Sequence, residues 1–214
     1  MSAVIRYLVR MAPFMLIALP VVLAVRIFLC RSRKKAGIPV CAAHEVWILM
    51  FAVYLVGLAS LTVLPIVRWQ EGEISFQLYG RGNLNLIPFR IFSDSLRMVS
   101  QGDTTYFLIN FWGNIATFLP IGFFPMLLFS RITVKKAVFI GFCSSLFIEV
   151  CQIAIQRDSD IDDLLLNTLG ALLGALLYRL LSLKWKEAFD RCKNIRCNSA
   201  DRSEVKINGS KRNT

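Results

Sequence analysis

Long uncharged runs alternate with short charged segments along the chain. Val46–Val67 contains no charged residue in 22 positions, and Thr104–Ser130 contains none in 27. Because about 20 apolar residues are needed to cross a bilayer, each run predicts a membrane-spanning helix. Three further runs contain a single charged residue each: Met11–Cys30, Ala137–Gln156 and Leu164–Leu183. The pattern therefore predicts an all-α integral membrane protein, built as a five-helix transmembrane bundle.

Composition agrees with a chain made mostly of membrane spans. Of the 214 residues, 56% are hydrophobic and 18% are charged, and the mean hydropathy is +0.56. These values leave no room for a separate soluble domain. In a soluble protein the net charge of +11 would indicate nucleic-acid binding. Basic residues beside spans mainly set topology, so we expect the lipid bilayer as partner and no nucleic acid.

Basic residues are divided unequally between the two sides of such a bundle. The larger group follows the first, third and fifth spans: Arg31, Arg33, Lys34, Lys35, Arg131, Lys135, Lys136 and nine Lys or Arg in residues 184–212. Because the more basic side is usually cytoplasmic, we expect the N-terminus outside and the C-terminus in the cytoplasm. The first span could instead be a cleaved signal peptide. No A-x-A-like cleavage site follows it, so we expect it to be retained.

Strongly polar residues lie within three of the spans. Glu149 and Gln152 belong to the fourth span, Asn114 to the third and Asn167 to the fifth. With a rise of ~1.5 Å per residue, Glu149 and Asn114 lie ~10 Å from the outer surface, and Gln152 and Asn167 lie ~5–6 Å from it. All four side chains are therefore expected in the outer half of the membrane.

These polar residues also share helical faces. At 100° per residue, Glu149 and Gln152 share a face with Ser145, and Asn167 shares a face with Asp163. The simplest arrangement is a polar cavity covered by the loop between the fourth and fifth spans. The alternative is structural, since amides hydrogen-bond between membrane helices for ~0.6 kcal/mol on average.

An acid within a span differs from an amide, because it costs several kcal/mol and usually marks function. For Glu149 the expected partner is Arg157 or a neighbouring amide, and a purely structural pair with Arg157 stays open. On the fifth span, Gly170 and Gly174 predict a face where a neighbouring backbone approaches closely.

The segment NLNLIPFRIF, residues 83–92, is apolar apart from its amides and one arginine. Pro88 blocks a regular helix at this point. The segment is expected to be re-entrant or interfacial, or else to pack as a loop over the bundle. In either case Asn85 and Arg90 lie on the same side as the expected cavity.

Four motifs occur in a fixed order: NLIPF (85–89), NFWGNIATFLPIGFFP (110–125), IEVCQ (148–152) and RDSDIDDLLLNTLGALLG (157–174). In sequence and spacing they resemble the VanZ-like family of small bacterial membrane proteins. The resemblance covers roughly residues 46–183. The family's motif positions correspond here to Asn85, Pro88, Phe89, Asn114, Pro120, Gly122, Glu149, Gln152, Arg157, Asp160, Asp163, Asn167 and Gly170.

The resemblance implies a multi-pass protein of the bacterial cytoplasmic membrane. Some members of the family are associated with resistance to glycopeptide antibiotics, to teicoplanin more than to vancomycin. It implies no particular reaction and no cofactor. We divide the chain into an N-terminal transmembrane helix with a basic cytoplasmic loop (1–43), a VanZ-like four-helix membrane domain (44–183) and a basic, disordered cytoplasmic tail (184–214).

The leading hypothesis is a binding protein whose outer-leaflet polar pocket meets an amphiphilic envelope molecule or antibiotic. Teicoplanin bears an acyl chain that vancomycin lacks, so the expected ligand is lipid-linked or a lipoglycopeptide. The candidate ligand-binding residues are Asn85, Asn114, Glu149, Gln152, Arg157, Asp160, Asp163 and Asn167.

A second hypothesis is a membrane-embedded enzyme that acts on a lipid-linked envelope precursor. Glu149 would be its acid or base. Asp160 and Asp163 would be candidate ligands of a divalent cation, because hard cations prefer carboxylate oxygens. A transporter is disfavoured, since the inner halves of the three polar spans offer no polar path to the cytoplasm.

Overall fold

The structure is a computed structural model. It describes residues 3–38, 40–64, 66–70, 73–77, 82–102, 104 and 107–193. Within these ranges five helices are long and apolar enough to cross a membrane. The predicted all-α, five-helix membrane fold is therefore confirmed.

Short connections join the helices except between α2 and α3, which are separated by residues 63–89. They are α1 (Ala3–Lys35), α2 (Ala42–Thr62), α3 (Arg90–Ser100), α4 (Gly113–Leu128), α5 (Val134–Ala154), α6 (Ile161–Lys184) and α7 (Lys186–Cys192). A π-helical turn, Leu108–Trp112, leads directly into α4. The described strands are β1 (Ile66–Gln70), β2 (Glu73–Gln77), β3 (Leu84–Asn85) and β4 (Ser159–Asp160). β1 pairs antiparallel with β2, and β3 pairs parallel with β4.

The centre of the bundle is the close pair of helices α4 and α6. A Cβ atom at Gly170 of α6 would overlap the carbonyl oxygen of Ile115, and one at Gly122 of α4 would overlap that of Ala171. Gly174 approaches the backbone of α4 in the same way. Since a side chain at these positions would push the backbones apart, the predicted close-packing face of the fifth span is confirmed.

The helices α2 and α5 pack around this central pair. A buried apolar cluster joins α2, α4 and α5 through Leu58, Phe118, Ile121 and Ile148. A second cluster, nearer the other end of α4, includes Met126, Ala137, Ala175 and Tyr178. The core of the bundle is thus formed by the four helices from α2 to α6 that can span the membrane.

The second span ends earlier than its hydrophobic pattern indicated. The uncharged run extends to Val67, whereas α2 ends at Thr62 and β1 begins at Ile66. At the end of α2 the N–H of Val63 donates to the carbonyl of Ala59 at 2.9 Å. Hydrophobicity did not mark this end, because the chain remains uncharged from Thr62 to Val67, the second residue of β1.

The helix α1 lies at the edge of the bundle and packs along α2. None of the 18 residues in its most apolar window is buried. The side chains of Met11 and Met15 contact α2 at Gly57. An ion pair between Arg26 and Glu45 joins the two helices near the opposite end.

The first residues of the predicted tail form α7, which packs against the bundle. The ring of Phe189 lies 5.4 Å from that of Tyr178 and 6.2 Å from that of Phe123, measured between centroids. The predicted domain from 184 to 214 therefore begins with ordered helical residues. The predicted disorder beyond them concerns residues 194–214, which lie outside the described residues.

Candidate functional site

The predicted site residues surround the end of the bundle where α5 leads into α6, here called the polar end. The connecting residues include β4, and β3 pairs with them so that Leu84 is opposite Ser159 and Asn85 is opposite Asp160. Ser159 donates its N–H to the carbonyl of Asn83 at 3.0 Å. Residues 83–85 are thereby held across the polar end.

Glu149 is buried, with 7% of its surface exposed. Its Oε2 accepts a hydrogen bond from the hydroxyl of Ser159 at 2.7 Å and one from the N–H of Asp160 at 3.1 Å. A buried carboxylate needs such donors to offset its lost hydration. The two hydrogen bonds described for Glu149 thus come from β4, whereas the partner expected from the sequence was Arg157 or a neighbouring amide.

Two neighbouring aspartates fix the segment between β3 and α3. The carboxylate of Asp160 accepts from the side-chain amide of Asn85, with both oxygens at 3.0 Å, and caps α6 through the N–H of Asp162 at 2.9 Å. Asp162 accepts from the N–H groups of Phe89 at 2.5 Å and Ile91 at 2.8 Å. Backbone donors at a helix start have no partner within the helix, so Asp162 stabilises the start of α3.

Polar side chains on α6 also join it to its two neighbours. Asp163 accepts a hydrogen bond from the side-chain amide of Asn114 on α4. One turn further along, the amide of Asn167 donates to the hydroxyl of Ser145 on α5 at 2.9 Å. The three predicted polar faces therefore meet inside the bundle, as the spacing of these residues indicated.

Arg157 binds the end of α2. Its Nη1 donates to the carbonyl oxygens of Leu61 at 2.6 Å and Thr62 at 3.0 Å. The carbonyl end of a helix carries partial negative charge, so a guanidinium is favourable there. The side-chain amide of Gln152 also donates to Thr62, at 3.4 Å. Arg157 and Gln152 therefore connect the polar end to α2.

Gln152 has one buried polar atom without a hydrogen-bond partner among the described residues. Its side chain is 6% exposed. Its Oε1 is buried and accepts no hydrogen bond from any of the described residues. A buried acceptor without a donor costs about 1–3 kcal/mol, so native structures rarely keep one without a reason. Of the predicted site residues, Gln152 is the one with a fully buried side-chain oxygen that accepts no hydrogen bond from the described residues.

Sequence reasoning missed two residues of this network, Ser159 and Asp162. Ser159 gave no signal, because a serine in a polar loop is ordinary. Asp162 belongs to the acidic stretch at the start of the fifth span, and acids in a first helical turn are favoured for the helix alone. Its contacts with the segment before α3 depend on a pairing of residues far apart in sequence, which spacing within a helix cannot reveal.

The carboxylates of the polar end do not converge on one point. Asp160 and Asp163 face different amide partners, Asn85 and Asn114. Among the residues that the structure describes, no three His, Cys, Asp or Glu side chains are grouped as they would be around a metal ion. The polar end instead presents carboxylates, each of which accepts a hydrogen bond from a neighbouring donor.

The apolar side chains of the segment before α3 point away from the protein. Leu86, Ile87 and Phe89 are 64%, 64% and 66% exposed. Meanwhile the backbone of the segment is held by Asp162, and Phe89 has a left-handed φ of 65°. The observed arrangement combines the two expected alternatives, a loop packed over the bundle and apolar side chains available to the membrane interface. The side chain of Phe92 lies outside the described residues.

An apolar cleft lies beside the polar end, between α2 and α5. It has a volume of about 400 Å³, and its lining includes Leu58 and Thr62 of α2 and Cys143, Phe147 and Ile148 of α5. Phe147 and Cys143 are exposed, so the cleft opens on the surface of the bundle that faces lipid. Thr62 links the cleft to the polar end, because its carbonyl accepts from Arg157 and Gln152.

Comparison with known proteins identifies the family of the chain. A sequence model of the VanZ/LLP1 family matches residues 51–182, more than half of the chain. The match begins within α2 and ends within α6, so it includes the polar end and the cleft. No curated protein and no solved structure matches. Four spans pack around the motifs on which the resemblance rested, and the family model covers them. The chain belongs to the VanZ/LLP1 family.

Proposed function

We propose that this VanZ-like membrane protein binds an amphiphilic envelope molecule or antibiotic and is associated with resistance to teicoplanin-type glycopeptides. In this proposal the protein lies in the bacterial cytoplasmic membrane, with its N-terminus and polar end outside and its C-terminus in the cytoplasm. The observation that carries the proposal is the apolar cleft of α2 and α5, which reaches the polar end at Thr62.

The cleft has the properties that an acyl chain requires. Ligand pockets in proteins have volumes of roughly 300–1,000 Å³, and the cleft has about 400 Å³. Its walls are mostly leucine, isoleucine, valine and phenylalanine, and it opens toward lipid. A hydrocarbon chain could therefore enter sideways from the outer leaflet without leaving an apolar environment.

The polar end has the properties that a head group rich in donors requires. Its carboxylates supply acceptors, and the buried Oε1 of Gln152 accepts no hydrogen bond from the part of the chain that the structure describes. A ligand with hydroxyl, amide or amine groups would satisfy that atom when its acyl chain lies in the cleft. A vancomycin-type molecule without an acyl chain would gain only the polar part of this interaction.

The eight predicted residues divide between two roles in this proposal. Gln152 and Arg157 lie where the cleft meets the polar end, so they would face the ligand. The remaining six hold the segment before α3 and the ends of α4, α5 and α6 in position: Asn85, Asn114, Glu149, Asp160, Asp163 and Asn167. Because Glu149 already accepts two hydrogen bonds, its contacts favour positioning over acid–base chemistry.

A filled-cleft variant tests the proposal. In Ser144→Phe the new ring occupies the cleft, whereas in the matched control Ala116→Phe the ring is added at an exposed position of α4. Each protein is reconstituted in nanodiscs and titrated with teicoplanin and with vancomycin, with empty nanodiscs subtracted. If the new ring keeps only two methylene groups of the acyl chain out of the cleft, the binding free energy is weakened by about 1.6 kcal/mol. We therefore expect Ser144→Phe to bind teicoplanin at least about tenfold more weakly.

The control variant should bind teicoplanin as the unchanged protein does, and vancomycin should bind weakly to all three proteins. Equal binding of teicoplanin to Ser144→Phe and to the unchanged protein would contradict the cleft as the binding site. Equal affinity for vancomycin and teicoplanin would contradict the role of the acyl chain.

A further inference from the structure

A second cavity, here called the basic groove, lies between α1 and α2. It is at the end of α2 opposite to the apolar cleft. It has a volume of about 350 Å³ and lies between the C-terminal part of α1 and the first turns of α2. Its apolar wall consists of Leu23 and Ile27 from α1 and Val46 and Leu49 from α2. Arg26, Arg31, Lys34 and Glu45 supply its charged lining.

The single carboxylate of the basic groove is already neutralised. Arg26 donates from Nε to Oε2 of Glu45 at 2.8 Å. Arg33 approaches the other oxygen of Glu45, with its Nη1 at 3.6 Å from Oε1. Two cationic side chains therefore surround one anionic side chain, which is itself largely shielded from solvent.

Arg31 and Lys34 are the cations that remain. Both are exposed at the mouth of the groove, and within the described part of the chain neither forms an ion pair within 4.0 Å of a carboxylate. Counting Arg26, Arg33 and Glu45 as well, the groove has a net charge of +3. A groove with this charge favours an anion at its mouth.

The charged and apolar parts of the groove lie one after the other along α1. Ile27, Arg31 and Lys34 recur at intervals of three and four residues, so they share one helical face. The cations lie at the end of the helix, and Leu23 lies one turn before Ile27, toward the middle of the span. A ligand that matches this arrangement has an anionic head group and an apolar chain, as a phospholipid does.

The geometry points to the basic groove as a binding site for an anionic phospholipid. The phosphate lies against Arg31 and Lys34, and one acyl chain lies along the apolar wall between α1 and α2. Charged hydrogen bonds from a guanidinium to phosphate oxygens are among the strong ones. Basic pockets between membrane helices bind anionic head groups in the same manner.

Such a lipid would have a structural consequence for α1. This helix lies outside the residues matched by the family, and none of the residues in its most apolar window is buried by protein. A lipid that contacts both α1 and α2 adds buried surface where the protein supplies little. The inference concerns a different cavity from the cleft at the polar end and does not depend on the proposed function.

Lipid titration of the purified full-length chain tests the inference. Bound phosphatidylglycerol and phosphatidylcholine are counted by native mass spectrometry for the unchanged protein, for Arg31→Gln/Lys34→Gln, and for the matched control Arg131→Gln/Lys135→Gln. Each basic residue near a membrane surface contributes about 1 kcal/mol, so we expect the first double variant to bind phosphatidylglycerol about 30-fold more weakly. The control removes the same charge at exposed positions outside the groove and should bind normally.

A second variant tests the apolar part of the groove while it keeps every charge. Val46→Trp fills the space between α1 and α2 and should also release phosphatidylglycerol. Equal weakening in the control pair, or equal binding of phosphatidylcholine and phosphatidylglycerol to the unchanged protein, would overturn the inference. Unchanged phosphatidylglycerol binding in both Arg31→Gln/Lys34→Gln and Val46→Trp would overturn it as well.

Discussion

Each carboxylate at the polar end has a donor of its own. The set comprises Glu149, Asp158, Asp160, Asp162 and Asp163. Two of their partners are side-chain amides, and three are the backbone N–H groups of Asn83, Phe89 and Ile91. Unpaired acids this close together would repel one another. At the scale of single residues, the acidic stretch is therefore a means of attaching one segment of backbone to the ends of three helices.

Substitution of Glu149 tests this view. A glutamine keeps the shape and one acceptor oxygen but loses the charge, and hydrogen bonds to charged groups are about 1 kcal/mol stronger than neutral ones. We expect Glu149→Gln to insert normally and to lower the free energy of unfolding by about 1 kcal/mol. Glu149→Leu removes both acceptors, leaves the buried Ser159 hydroxyl without its partner and should cost about 2–4 kcal/mol.

The measurement is thermal unfolding of the purified variants in one detergent, with membrane abundance recorded separately. The matched control is Glu187→Gln, an exposed carboxylate in the first turn of α7. It should change stability by less than about 0.5 kcal/mol. If Glu149→Leu unfolded at the same temperature as the unchanged protein, Glu149 could not be what holds β4 on α5.

At the scale of elements, the spans follow from hydrophobicity and their packing follows from small residues. Gly122 of α4 and Gly170 and Gly174 of α6 bring the two backbones into direct contact. Hydrophobic side chains give no such preference between helices in lipid, because lipid tails are equally apolar. The glycines of α4 and α6 therefore determine that these two helices form the central pair.

Introducing one methyl group at this contact should separate the helices. In Gly122→Ala the new Cβ overlaps the Ala171 carbonyl oxygen. We expect this overpacking to lower the free energy of unfolding by about 1–3 kcal/mol. Gly113→Ala is the control, because a Cβ at that position would meet no described atom within 4 Å beyond its chain neighbours and the backbone of its own helix. There the higher helix propensity of alanine should give a neutral or stabilising effect of up to about 1 kcal/mol.

Thermal unfolding of the two variants under identical conditions provides the measurement. The two substitutions change the sequence in the same way, so any difference in melting temperature reports the surroundings of each glycine. Equal melting temperatures for Gly122→Ala and Gly113→Ala would show that α4 and α6 are not in close contact.

The sequence predicted the existence of the five spans and the convergence of their polar faces. Both follow from periodicity within a helix, which is local information. The end of α2 at Thr62, the pairing of β3 with β4 and the partner of Glu149 were not predicted. The first two depend on Arg157 or on residues 83–91 contacting an element far away in sequence, which no local pattern reports. The partners of Glu149 lie only 10 and 11 residues away, but in a connection between helices to which helical periodicity does not extend.

At the scale of the whole molecule, the two ends of the bundle differ in charge. The polar end has an excess of carboxylates, whereas the ends of α1 and α6 and the connection between α4 and α5 are basic. Because Lys and Arg are retained on the cytoplasmic side during insertion, this asymmetry predicts one orientation for all five spans.

Site-specific labelling tests that orientation. In a variant without the six native cysteines, a cysteine at Ser75 should react with a membrane-impermeant maleimide added to intact cells. A cysteine at Ser210 should react only after the membrane is opened. A reporter fused after Thr214 should accordingly be active in the cytoplasm alone. Labelling of the Ser210 position from outside would reverse the proposed topology and place the polar end in the cytoplasm.

The pairing of β3 with β4 has a consequence for biosynthesis. Asn85 and its partner Asp160 are 75 residues apart. At a synthesis rate of about 5–20 residues per second, ~4–15 s pass between the translation of the two. Throughout that interval the segment from Leu84 to Arg90 lacks the strand with which it pairs. Its backbone can therefore take its final conformation only after the chain has been made as far as the start of α6.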